Sequence, residues 1–150
     1  MLKVDETIRA ATDPLRDGED LALQETFHPM GYAVEIQTNS KAILSAASDL
    51  WGAYPKLACA DPVRIRAIVS EDSDGYKRTP SPPLWNGPLF MIVHGPVDFA
   101  IADLRTGVAV MHLSRRSTTD HAYLRYYFLE PLTYALQAAA QVGNFQGDIR

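Results

Sequence analysis

Four histidines, one cysteine and a scatter of carboxylates are what this chain offers for chemistry. His28, His94, His112 and His121 stand far apart, and none forms the HExxH pair that would set two imidazoles on one helix face for zinc. A meander of strands can carry His94, Asp98 and His112 towards one another, so these three are the candidate catalytic residues. The expectation is nonetheless four separately satisfied histidines. Asp98 and Asp103 have an odd separation, which puts them on opposite faces of a strand rather than in one acid–base site. Cys59 has no second cysteine for a disulfide or a multi-cysteine metal site, and reads as a small buried apolar residue. No GxSxG elbow is present. The glycine most closely followed by lysine, in Gly75-Tyr76-Lys77, lacks the rest of GxxxxGK[ST], so the chain alone should not hydrolyse or transfer from ATP. No catalytic, cofactor-binding or metal-binding residue is assigned, and no cofactor is expected.

These side chains have to be positioned by the elements around them, and the longest signal is Ser117 to Val142. Leu124, Tyr127, Phe128, Leu132, Ala135, Leu136, Ala139 and Val142 recur at three-and-four spacing, an apolar helix stripe that needs a sheet to cover it. Ser117 and Asp120 read as a capping pair and Gly143 as the stop. Pro131 has no amide hydrogen for the Tyr127 carbonyl, so a kink is expected near Glu130, with a break into two helices as the lesser outcome. The platform beneath is expected to be apolar, without a cluster of ionisable groups.

The sheet is read from three stretches. Two strands joined by a turn fit Leu21 to Gln37, broken at Pro29 to Gly31. Pro62 to Ser70 alternates Val63, Ile65 and Ala67 against Arg64 and Arg66. Those arginines could grip an anion together, but such a pair is ordinarily a solvated strand face. Leu89 to Leu113 reads as a three-stranded meander, apolar on both faces and therefore expected to be covered twice, once by the long C-terminal helix and once by the helix after Ser40 or a partner surface. Between these stretches, Asn39 or Ser40 starts a helix that carries Ile43, Ala47, Leu50, Trp51 and Tyr54 on one face and ends near Gly52. Glu71 to Pro88, with Pro80, Pro82, Pro83 and Pro88, reads as a long surface loop that packs something through Trp85.

The resulting fold class is α+β: a mainly antiparallel sheet of about five to six strands, covered by a long kinked C-terminal helix and a shorter helix near 40–54. Residues 1–20 read as a flexible lead-in with at best a short helix from Asp5 to Ala11, 21–143 as one domain, and 144–150 as a loose tail. At 150 residues and 47% hydrophobic, such a domain buries roughly two-thirds of its unfolded surface. A net charge of −4, with no basic cluster beyond Arg115-Arg116, argues against nucleic acid as a partner. No apolar run reaches the about 18 residues of a membrane span and no signal peptide is evident, so no membrane partner is expected and the cytoplasm is the default location.

An ordered set of segments adds a likeness. His28-Pro29-Met30-Gly31-Tyr32, Glu35 to Ser40, Ala46-Ala47 through Trp51-Gly52, Asp98 to Leu104, Leu124-Arg125-Tyr126 and Phe128-Leu129-Glu130 together resemble the N-terminal region of bacterial proteins related to HPr serine kinase/phosphorylase. In those proteins the long helix leads into a strand and a Walker-type phosphate loop; here Gln141 is followed by Val-Gly-Asn-Phe-Gln-Gly-Asp-Ile-Arg. The resemblance implies an excised N-terminal domain, or a relative without the kinase half, and carries no catalytic residue onto these positions. It implies a non-catalytic regulatory or assembly domain whose partner is a P-loop kinase-like domain in the same or another chain, or a second copy of itself. The alternative, from the residues, is a small-molecule sensor or enzyme. Its pocket would lie between sheet and C-terminal helix, with His94, Asp98 and His112 as candidates and Tyr126 or Trp85 at the rim.

Overall fold

The computed structural model describes residues 21–56, 61–70 and 79–149, with side chains as far as Gln141 in the last stretch. The lead-in with its expected Asp5–Ala11 helix, Cys59 and the first half of the proline-rich loop lie outside the described residues.

The class is α+β, but the sheet differs from the expected one in strand number and direction. It has seven strands: β1 (Leu23–Phe27), β2 (Val34–Thr38), β3 (Val63–Ser70), β4 (Leu84–Asn86), β5 (Leu89–Val93), β6 (Phe99–Asp103) and β7 (Val108–Ser114), in the order β1-β2-β3-β7-β6-β5-β4. Helix α1 (Lys41–Trp51) joins β2 to β3 as a crossover, which returns the chain to the end it left and makes the two strands parallel. β3 and β7 are parallel too, because β4 to β6 form a separate antiparallel excursion between them. The extra strand, β4, sits in a stretch whose prolines read as loop. Gly87, at φ +58°, turns the chain so that Asn86 faces Leu89. Upstream, Pro80, Pro82 and Pro83 have no amide hydrogens to give. The contacts there fall to the Thr79 amide on the His94 carbonyl (2.8 Å) and the Ser81 hydroxyl on the Val93 carbonyl (2.7 Å).

Residues paired across the strands share a face, so Ile36, Ile65, Ala109, Ala102 and Phe90 form one row, all buried. Both helices cover this face. Ile43, Ala47 and Trp51 of α1 join Leu124, Phe128, Leu132 and Leu136 of the C-terminal helix and the sheet residues in a single cluster. The helix after Ser40 is therefore not the second cover, since it shares a face with the C-terminal helix. On the opposite face the row Gln24, Gln37, Arg66, Val110, Ile101, Met91 and Leu84 is polar over β1 to β3 and apolar over β7 to β4, and no described helix lies on it. Strand neighbours half-shield Val110, Ile101 and Met91, whereas Leu84 at the sheet edge is exposed.

The C-terminal helix starts and bends differently from the expectation. A 3-10 turn (Ser117–Thr119) precedes α2 (His121–Leu124), a π-helical turn (Arg125–Leu129) and α3 (Glu130–Ile149). Asp120 alone caps, accepting the Tyr123 amide at 3.1 Å. The irregularity ends just before Pro131: the Glu130 amide reaches five residues back to the Arg125 carbonyl, the wider spacing of a π turn. Nor does Gly143 stop the helix, since an interior glycine costs only about 1 kcal/mol unless its φ turns positive. In α1, Ser40 holds the N-cap position without a side-chain cap bond, while Asn39 spans the Val69 amide and carbonyl at 2.8 and 3.0 Å and so extends the β2–β3 ladder by one side chain.

Two substitutions test this packing by urea unfolding. Leu132→Ala, at a fully buried position, should lose about 3 kcal/mol. Met30→Gly should instead gain about 0.5 to 1 kcal/mol, because Met30 is exposed and is held at φ +54°.

Candidate functional site

The polar centre of the molecule lies where the β5–β6 hairpin meets the start of the C-terminal helix. The His94 amide bonds to the Asp98 carbonyl at 2.9 Å, closing the hairpin over Gly95-Pro96 and turning both side chains inward. Asp98 is fully buried. Its Oδ1 accepts the Ser114 amide at 2.9 Å; its Oδ2 accepts the Ser117 hydroxyl at 2.5 Å and the Tyr123 hydroxyl at 2.9 Å. Three donors converge on this one carboxylate, both of whose oxygens act as acceptors, and they offset the cost of its burial. The Tyr123 proton is committed to Asp98, so the Tyr123 oxygen accepts from His94 Nδ1 at 2.8 Å and places the imidazole proton on Nδ1. Edge-on contacts with Tyr127 and Phe128, both at 5.2 Å between ring centres, hold the imidazole plane. Ser114 Oγ donates to Ser117 Oγ at 2.9 Å and accepts the Ser117 amide at 3.1 Å, which ties the 3-10 turn into the same network.

Of the three candidates, His94 and Asp98 are thus joined through Tyr123, whereas His112 is not part of the group. Its strand neighbour Met111 faces the helices, so His112 faces the other side, stacked flat on Phe99 at 5.2 Å with Nδ1 donating to the Val97 carbonyl at 2.6 Å. The expectation of an apolar platform without ionisable groups is overturned: an aspartate, a histidine and a tyrosine meet under the helix. Reading by residue type misses Tyr123, Ser114 and Ser117. Ser117 reads as a helix cap, and Tyr123 lies one residue off the expected stripe because the π turn rotates the residues beyond it relative to those before. By the same rotation Tyr127 comes out 43% exposed. Asp103, at the other end of β6, caps the next turn; the Arg105 amide on its Oδ1 (3.0 Å) holds its carboxyl below the usual range. Arg64 sits 3.8 Å from Glu35 on the open face. Among the described residues no group of three or more His, Cys, Asp or Glu could hold a metal ion.

His94 is also where this network meets the surface. It and Ile92 form the base of an open hollow of about 400 Å³, with Pro80, Ser81, Pro82 and Pro83 as one wall and Tyr126, Tyr127 and Pro131 as the other. No charged side chain lines it. Trp85 does not line it, but packs on Phe90 at 4.6 Å near the sheet edge. Across Tyr126 lies a second open hollow of about 280 Å³, between α1 and the C-terminal helix, with Ala46, Leu50 and Ala122 as its apolar part and Asp49, His121 and Arg125 as its polar part. His121 Nδ1 is 3.2 Å from Asp49, and Arg125 bonds Glu130 at 2.7 Å, a contact that raises the guanidinium pKa further. Arg125 also lies over the Tyr126 ring at 5.2 Å. The arrangement can grip apolar and ring-shaped groups; its carboxylate is committed to holding the helix.

Comparison of the chain with family models, with curated proteins and with solved structures gives no match. Among the described residues no helix is long and apolar enough to cross a membrane.

The network has two measurable signatures. Tyr123→Phe removes two hydrogen bonds and should lower stability by about 2 kcal/mol, with a change in the His94 ring-nitrogen shifts by NMR as Nδ1 loses its acceptor. Asp98→Asn should cost more, about 3 kcal/mol, because an amide offers one acceptor oxygen and turns its own donors towards hydroxyls and an amide that also donate.

Proposed function

We propose that this chain is a non-catalytic recognition domain, and that its binding site is the hollow between the proline segment 80–83 and the π turn of the C-terminal helix. One observation carries the reading: the hollow is lined by tyrosines, prolines, Ile92 and the immobilised His94, with no charged group, while Asp98 is saturated by three donors behind it. Polar groups spent on fixing a ring, beneath apolar walls open to solvent, suit binding more than bond-making. The likeness to the N-terminal region of HPr kinase-related proteins supports an accessory role beside a P-loop kinase-like domain, in the same or another chain. Leu84, Trp85 and Val93, exposed at the adjoining sheet edge, supply further apolar surface for such docking.

A neutral aromatic probe such as phenol, titrated into the labelled protein, should shift the amides of Ile92, His94, Tyr126 and Tyr127 and leave those of β1 and β2 unmoved. Tyr127→Ala should weaken that binding about fivefold, the value of roughly 1 kcal/mol of ring contact, without unfolding the domain. Shifts confined to other surfaces, or binding indifferent to Tyr127, would refute the site. The accessory role is tested separately by the coding frame: a GxxxxGK[ST] loop encoded past Arg150 supports an attached kinase-like half, and its absence restricts the role to a separate chain.

A further inference from the structure

Resting on that reading, the geometry points to a particular kind of ligand: we infer that the surface takes an extended, proline-containing peptide that lies across both hollows and places an arginine or lysine beside Asp49. The π turn is the first ground. It spaces the buried pairs Tyr123-Leu124 and Phe128-Leu129 five residues apart, wider than the three-and-four spacing of a regular helix face, and leaves Arg125, Tyr126 and Tyr127 exposed between them. Tyr126, 61% exposed, is thereby raised as a ridge that lines the first hollow on one side and the second on the other.

Two open apolar notches separated by an aromatic ridge suit a polyproline II chain. Such a chain repeats every three residues, roughly 9 Å, presents its rings on a fixed side, and loses little conformational freedom on binding because it is extended beforehand. Proline rings already stand around the tyrosines here, since Pro82, Pro83 and Pro131 line the first notch together with Tyr126 and Tyr127. A compact small molecule would instead want walls on most sides, and both hollows are open.

Charge sets the direction of the chain. The first notch has no charged lining, so the peptide's apolar, proline-bearing part belongs there. At the second, Arg125 is matched by Glu130 at 2.7 Å, which leaves the exposed Asp49 carboxylate, with His121 beside it, as the acidic feature an incoming side chain meets. The chain's net charge of −4 favours a basic segment in the same sense.

The test is fluorescence anisotropy on the full chain with a labelled peptide of two Ala-Pro-Pro repeats followed by arginine. The controls are the same peptide with alanine for every proline and with glutamate for arginine. Saturable binding of the first peptide, at least about tenfold tighter than the alanine control, is expected, as is a preference for arginine over glutamate. Tyr126→Ala should weaken the first peptide about tenfold, with an unchanged thermal melt showing that this exposed residue is not needed for folding. Asp49→Asn should abolish the arginine preference and leave the proline preference standing. Equal binding of the proline and alanine peptides, or an arginine preference that survives Asp49→Asn, overturns the inference. If phenol binds at Ile92 and His94 but no peptide does, the peptide assignment falls and the recognition site stands; if neither binds, both fall.

Discussion

A buried aspartate carboxylate is the constraint on which the rest of this molecule turns. Removing an unpaired charge from water costs several kcal/mol, so Asp98 can remain at 0% exposure only while its donors stay in place. Those donors come from three separate pieces of chain: the end of β7 through Ser114, the 3-10 turn through Ser117, and the first turn of the C-terminal helix through Tyr123. The β5–β6 hairpin, the central strand and the covering helix are thereby fixed at one point. Apolar packing between helix and sheet has no direction of its own. The hydrogen bonds around Asp98 supply direction and determine where along the sheet the helix begins.

From that anchor the helix has to reach Pro131 with its apolar stripe still facing the sheet. Pro131 cannot satisfy the Tyr127 carbonyl, and the chain meets the difficulty one turn early, with the π turn Arg125–Leu129. The extra residue in that turn has opposite consequences on its two sides. Inward, it lets Tyr123 and Leu124 before it and Phe128, Leu129 and Leu132 after it all be buried. Outward, it leaves Arg125, Tyr126 and Tyr127 side by side at the surface, over the hollows on either side of Tyr126. The proposed binding surface and the helix irregularity are one feature, and both arise from having an anchor at Tyr123 and a proline eight residues later.

Much of this fold is legible from residue spacing, and the parts that are not share a cause. Alternation in Val63–Ser70 and the turn at Gly107 locate β3 and β7, because the two-residue period is a property of each strand alone. That β2 and β3 run parallel, and β3 and β7 likewise, is a property of the connections, so α1 has to be recognised as a crossover between the first pair and β4 to β6 as an excursion between the second. β4 is concealed because prolines at 80, 82 and 83 announce a loop, whereas a sheet edge tolerates them, needing hydrogen bonds on one side only. At the site, His94 and Asp98 are visible as a pair four apart across a Gly-Pro turn. Tyr123 is not, since a tyrosine on a helix reads as core until a carboxylate is found under it. His112 groups with them by residue type, and strand register puts it on the opposite face.

The division of labour that results is what supports the proposed reading of binding over bond-making, in a chain with histidine, aspartate, serine and tyrosine in mutual contact. A general base or nucleophile must present a reactive atom to the place where a substrate sits. Here Asp98 Oδ1 accepts the Ser114 amide, and Asp98 Oδ2, Ser117 Oγ and Tyr123 Oη bond to one another or to His94, within a region shut off by the helix. The exposed groups are a different set: phenol rings, proline rings and, across the ridge, one exposed aspartate beside its histidine. Rigid rings held by a buried network lose little entropy when they meet a ligand, and that is the physical advantage of placing a saturated polar cluster directly behind an apolar groove.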